Sequence, residues 1–113
     1  MTETPHSISD WSVDVFPTLT KEAQEEKLTE EILEYIKAKT DEEKVKELAD
    51  IYIVSSILKC RFNCDIGFNT FRCLSMTHKK GVYKEVCRKM EVNRSRKWEW
   101  NGKTYKHVKG TGE

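Results

Sequence analysis

No stretch of the chain reaches the roughly 18 consecutive apolar residues that a membrane-crossing helix needs. Near the start there is no basic region followed by an apolar run, so no secretory signal is read and a cytoplasmic location is expected. The four cysteines, Cys60, Cys64, Cys73 and Cys87, form no Cys-x-x-Cys pair and have only His78 close by in the sequence. That spacing speaks against zinc and for reduced, packing thiols. Net charge is almost absent as well: 20 Lys and Arg against 19 Asp and Glu leave +1, so the molecule as a whole advertises neither a nucleic-acid nor a membrane partner. Internal repeats and low-complexity tracts are missing. With 113 residues the chain fits one domain, residues 1–113, and too little length remains for a second. Apolar residues make up only 37%, so helix faces gain from burial against a partner subunit, and a homo-oligomer is expected.

What charge there is has been sorted along the chain. Between Thr20 and Asp50 stand eleven acids against six lysines, and between His78 and Lys109 eleven Lys or Arg against three glutamates. An acidic centre suited to cations and a basic tail suited to phosphates fit a polyphosphate ligand, although a solvated helix face has a similar composition.

Met1–Ser9 is polar and expected to be frayed, and Pro17 interrupts any helix that begins near Asp10. From Thr20 to Lys39, strong helix formers carry an apolar stripe through Ala23, Leu28, Ile32, Tyr35 and Ile36. Thr40 with Glu43 forms a capping-box signature. It opens a second helix to about Cys60 that is apolar on nearly every side after Asp50, which predicts a buried end, with a subunit interface as one place for it. Further helices are predicted over Ile66–Met76 and Val82–Val92, making four main helices. In the tail, 97–109, Trp98-Glu99-Trp100, Asn101-Gly102 and Lys103-Thr104-Tyr105 predict a β-hairpin on a two-residue Asn-Gly turn, with Trp98 facing Tyr105.

The chemistry lies in Glu30-Glu31-Ile32-Leu33-Glu34 and, after a twelve-residue spacer, Glu47-Leu48-Ala49-Asp50. A spacing of three sets Glu31 and Glu34 on one helix face, and Glu47 and Asp50 on another. If the two helices form an antiparallel hairpin about Thr40, four hard oxygen donors converge, an arrangement suited to Mg²⁺. Salt bridges from Lys27 and Lys46 are the alternative use of these acids.

The strings EEILE and ELAD resemble the EExxE and ExxD signature of the MazG family, within the all-α NTP pyrophosphatase superfamily. The resemblance implies an all-α, four-helix MazG-type bundle completed by oligomerisation, as a dimer or a dimer of dimers. It implies Glu31, Glu34, Glu47 and Asp50 as ligands of Mg²⁺ (Mn²⁺ being the alternative), with Glu30 supporting them, for instance by positioning water. Lys89, Asn93 and Arg96 are similar to the family's phosphate-binding segment, and Trp11 and Phe16 occupy a region from which related proteins stack on a base. The implied activity is hydrolysis of a nucleoside triphosphate, by preference a deoxynucleotide, to monophosphate and pyrophosphate, a house-cleaning reaction. Two other uses compete with it: a non-catalytic helical oligomerisation or regulatory module, and a single-strand nucleic-acid binder stacking bases on Trp98, Trp100 and Tyr105.

Overall fold

Helix starts are marked by threonines. Thr4 accepts a hydrogen bond from the Ser7 amide (3.0 Å) and the Ser7 hydroxyl accepts one from the Thr4 amide (2.8 Å). This capping box opens α1 (Pro5–Val15), with Pro5 at the first turn, where an N–H would have no helical partner. Thr20 caps α2 (Lys21–Lys37) through the Ala23 amide, and Thr40 caps α3 (Asp41–Phe62) through the Glu43 amide. The Glu43 carboxylate completes the motif one residue early, accepting from the Lys39 amide (3.4 Å). A computed structural model, which describes residues 2–77 and 80–112, adds α4 (Ile66–Leu74), α5 (Val82–Ser95) and the strands β1 (Trp98–Trp100) and β2 (Tyr105–His107). The protein is thus mostly helical, with one short antiparallel ribbon.

The expected frayed lead-in is a helix instead. Ile8 is fully buried, and Glu3 is clasped by Arg94 of α5 through two bonds of 3.0 and 2.9 Å, with the Ser7 hydroxyl donating to it at 2.7 Å. The guanidinium holds the Glu3 carboxyl below its usual range against the opposing effect of burial. Polar composition misled here because the partner of Glu3 stands 91 residues away.

Pro17 ends α1 as expected, and the carbonyls left over are taken by one side chain. Arg61, in the last turn of α3, donates to the carbonyls of Ser12 (2.9 Å), Phe16 (2.7 Å) and Pro17 (3.2 Å). That contact fixes where Phe16 sits.

The apolar second half of α3 is the centre of the fold. Helices α1, α2, α4 and α5 each pack on it, so Leu48, Ile51, Val54, Ile57 and Leu58 are buried inside the chain itself. A subunit interface is not needed to cover that end. Ser55 and Ser56, both fully buried, return their hydroxyls to the Ile51 and Tyr52 carbonyls (2.6 and 2.8 Å). Gly67 of α4 lies so close to Ser55 that a Cβ there would stand 2.5 Å from Ser55 Oγ, which makes glycine the residue that lets α4 dock. Asn63 ends α3 in the left-handed conformation (φ 51°).

The hairpin forms with a different register. Trp98 pairs with His107 and Trp100 with Tyr105, so four residues, 101–104, make the turn instead of two. Asn101 Oδ1 accepts from the amides of Lys103 and Thr104 (3.0 and 2.8 Å), and Gly102 takes the positive φ (95°). The slip is by two residues, an even number, so Trp98, Trp100, Tyr105 and His107 keep one face of the ribbon.

The radius of gyration, 13.3 Å, matches the roughly 13 Å of one domain of this length. No helix among the described residues is long and apolar enough to cross a membrane. All four cysteines are free thiols, and His78 lies outside the described residues.

Candidate functional site

Helices α2 and α3 fold back on each other across residues 38–40. Lys44 Nζ donates to the Tyr35 carbonyl (3.0 Å) near the turn, and Glu31 meets Asp50 further along, so the pair runs antiparallel as expected. On α2 the inward stripe is Gln24, Leu28, Glu31 and then Tyr35, at spacings of three and four. On α3, Glu47 and Asp50 share a face one turn apart. The result is a group of three carboxylates, Glu31, Glu47 and Asp50, whose oxygens lie within 4.8 Å of one another and are able to hold a metal ion.

Glu34 stays outside this group. It is exposed, because Tyr35 takes the inward position at that level and donates its hydroxyl to the Leu74 carbonyl (3.3 Å). The charge of Glu34 still reaches Glu47 and helps raise its pKa. Glu30 is also exposed and pairs with Lys27 at 3.6 Å. Four converging donors are therefore three, with a fourth acid nearby.

Two of the three, Glu31 and Glu47, have their pKa values raised. Burial first, then the Asp50 charge and a hydrogen bond with Asp50, push the Glu31 pKa up to about 8, against a smaller opposing effect of Lys27. Glu47 is raised by burial and by Asp50. Two lysines answer the acids: Lys27 Nζ stands 3.6 Å from Glu31, and Lys89 Nζ of α5 donates to Asp50 Oδ2 at 2.9 Å. A partly buried set of hard oxygen donors, two of them with raised pKa values, is the donor chemistry that a divalent cation with oxygen preference satisfies.

Beside the carboxylates opens a cavity of about 400 Å³, within the range of roughly 300 to 1,000 Å³ usual for small-molecule sites. Glu31 and Asp50 form one part of its wall, and Lys89, Asn93 and Arg96 from the end of α5 another. Asn93 uses its carbonyl to accept from Trp98 Nε1 (3.3 Å), while its amide has only the Met90 sulfur at 3.8 Å. Among the described residues, Arg96 Nε is buried without a hydrogen-bond partner. Arg88 also lines the cavity but is engaged with Glu85 (2.8 Å).

The far end is aromatic. Trp11 and Phe16, 7% and 8% exposed, meet edge to face with centroids 5.0 Å apart. The hairpin adds Trp98 and Tyr105, at 5.2 and 4.7 Å from the Phe16 ring. Tyr105 is anchored through its hydroxyl, which accepts from the Thr18 amide (3.1 Å) and lies 2.6 Å from the Thr18 hydroxyl. The Trp11 and Phe16 rings thus belong to the buried core and line the cavity at the same time. Trp98 and Tyr105 face inward, and of the three aromatics considered as single-strand platforms only Trp100 is exposed.

Sequence reasoning missed Gln24, Trp98, Thr104 and Tyr105 as cavity residues. The Asn-Gly signal announced the hairpin but not where it docks. Gln24 carries no motif, and only its place on the inward stripe of α2 could have singled it out.

No family model matches the chain, and neither the curated proteins nor the solved structures give a match to it. The likeness to the MazG family rests on the residues quoted for it.

Proposed function

We propose that the protein is a Mg²⁺-dependent nucleoside triphosphate pyrophosphohydrolase that converts a nucleoside triphosphate, by preference a deoxynucleotide, to monophosphate and pyrophosphate. One observation carries this: seven residues chosen for that chemistry, from positions 11 to 96, line a single cavity and bring acids, basic and amide groups and aromatic rings to one wall. A triphosphate nucleotide has those three needs in one molecule.

Glu31, Glu47 and Asp50 would hold Mg²⁺, which when bound neutralises phosphate charge and makes hydroxide available from water near neutral pH. Arg96, whose Nε lacks a partner among the described residues, and Lys89 stabilise negative charge growing on the leaving pyrophosphate as the bond to the α phosphorus breaks. The Asn93 amide adds a neutral donor on the same wall. The aromatic end, walled by Trp11, Phe16, Trp98 and Tyr105, excludes water and holds the base. Glu30 and Glu34, exposed beside the cluster, act through their charge and not by contact with substrate.

A homo-oligomer belongs to the same proposal. Leu33 and Ile36 on α2 remain 49% and 65% exposed, and Met76 77%, apolar surface that a second copy would cover.

The test is hydrolysis in ¹⁸O-labelled water with Mg²⁺. Label found in the nucleoside monophosphate and not in pyrophosphate is the expected result. Label in orthophosphate, or none incorporated from any triphosphate, refutes the reaction and leaves the helical-module alternative.

A further inference from the structure

Gln24 is a polar residue of the cavity wall with no motif to explain it and, among the described residues, no hydrogen-bond partner for its side chain. It is 6% exposed and lines the cavity together with Phe16, Trp98 and Tyr105. Its backbone amide closes the first turn of α2 on the Thr20 carbonyl (3.1 Å), but its carboxamide makes no hydrogen bond among the described residues. The amide atoms are not sealed off, so an otherwise buried side chain keeps an open carboxamide toward the cavity, where a ligand can pair with it. Thr20 Oγ1 accepts from the Ala23 amide and the Tyr105 hydroxyl bonds Thr18, and neither makes a hydrogen bond to the Gln24 carboxamide. Nor is the side chain free to leave, because α2 places position 24 on the stripe that packs against α3.

A carboxamide presents one donor and one acceptor side by side, and a nucleobase edge presents their complement. We propose that Gln24 is the base-reading residue of this cavity, hydrogen-bonding the edge of a nucleobase whose ring lies against Phe16, Trp98 and Tyr105. The assignment rests on the nucleotide function proposed above. Because Lys89 and Arg96 fix the phosphates on another part of the wall, the base arrives in one orientation and offers the amide one edge. A site built to hydrogen-bond a substrate group rejects analogues that lack it far more strongly than an apolar pocket rejects a change of size.

The experiment reads binding without catalysis. Deoxynucleoside monophosphates bearing adenine, cytosine, guanine, thymine or uracil are titrated in EDTA against the tryptophan emission of the wild type, Gln24→Met and Gln24→Glu. Circular dichroism confirms the fold of each variant. The wild type is expected to separate its best and worst base by about tenfold or more, the scale of one well-made base contact. Gln24→Met should bring all five within about threefold. Gln24→Glu, an acceptor only, should shift the ranking toward guanine, whose edge offers two adjacent donors. Should Gln24→Met fail to fold, the near-isosteric Gln24→Glu carries the test. Base preference unchanged in the folded variants, or no preference in the wild type, overturns the role of Gln24. Triphosphate hydrolysis without any monophosphate binding overturns it as well and leaves the pyrophosphohydrolase in place. Gln24-dependent base preference with no Mg²⁺-dependent hydrolysis keeps the base reader and removes the reaction.

Discussion

The two ends of the cavity are built differently. The acidic end is set by α2 and α3, two capped helices joined by three residues, so Glu31, Glu47 and Asp50 are placed by local geometry and a buried helix contact. The aromatic end is assembled from the C-terminus of α1 and a short ribbon, tied by Arg61 to the Phe16 carbonyl and by Tyr105 to Thr18, contacts spanning 45 and 87 residues. Local geometry gives a rigid charge site, and long-range ties give a wall that can be altered without touching it. The two ends should therefore respond separately to substitution.

The largest effect is expected at the acidic end. Glu47→Gln should lower turnover at least roughly a hundredfold, the scale of losing one preorganised electrostatic contact, while helicity by circular dichroism stays nearly unchanged. A variant with the wild-type rate would take Glu47 out of the metal site. Next comes Lys89→Ala, which removes the proposed phosphate contact and strands Asp50 without its 2.9 Å partner. A fall of about tenfold in kcat/KM for triphosphates is expected, and an unchanged value would return Lys89 to a purely structural ion pair.

Tyr105→Phe probes the other end gently, keeping the ring and deleting the bonds to Thr18. It should raise KM a few-fold, in line with about 1 kcal/mol for such bonds, and leave the Mg²⁺ requirement as it was. A change in metal dependence would show that the two ends are coupled.

The smallest effect is a pH dependence of metal-free stability. Glu31 holds its proton up to about pH 8 in the folded chain, against 4.5 for an unperturbed group, so the folded state binds more protons across that window. Its contribution is full below about pH 4.5 and is lost as pH rises through about 8. In EDTA, Tm should fall by on the order of a few degrees over that range, and Glu31→Gln should flatten the slope. An equal slope in the variant would assign the titration elsewhere.

The same contrast explains how much was legible in the sequence. Thr20 and Thr40 as helix caps, the Glu47 and Asp50 pair and the turn between α2 and α3 are all encoded within a few residues, and the structure has them. Glu34 needed knowledge of which residue, it or Tyr35, turns inward, and i, i+3 spacing alone does not decide that. The lead-in was misread because the partners of Glu3, and the core around Ile8, come from far along the chain. The hairpin was visible, but its register was not: the Asn101 side chain bonds two amides of a longer turn, and that outweighs the preference for a two-residue loop. Gln24 was silent for the same reason as the aromatic end, since only the folded cavity shows that its amide is unmatched.

The most direct test of the account is release of pyrophosphate from canonical and modified NTPs and dNTPs, with Mg²⁺ and with excess EDTA. Pyrophosphate and monophosphate in equal amounts with Mg²⁺, and neither in EDTA, is the predicted result. Orthophosphate as the product, or no release from any triphosphate, would contradict it.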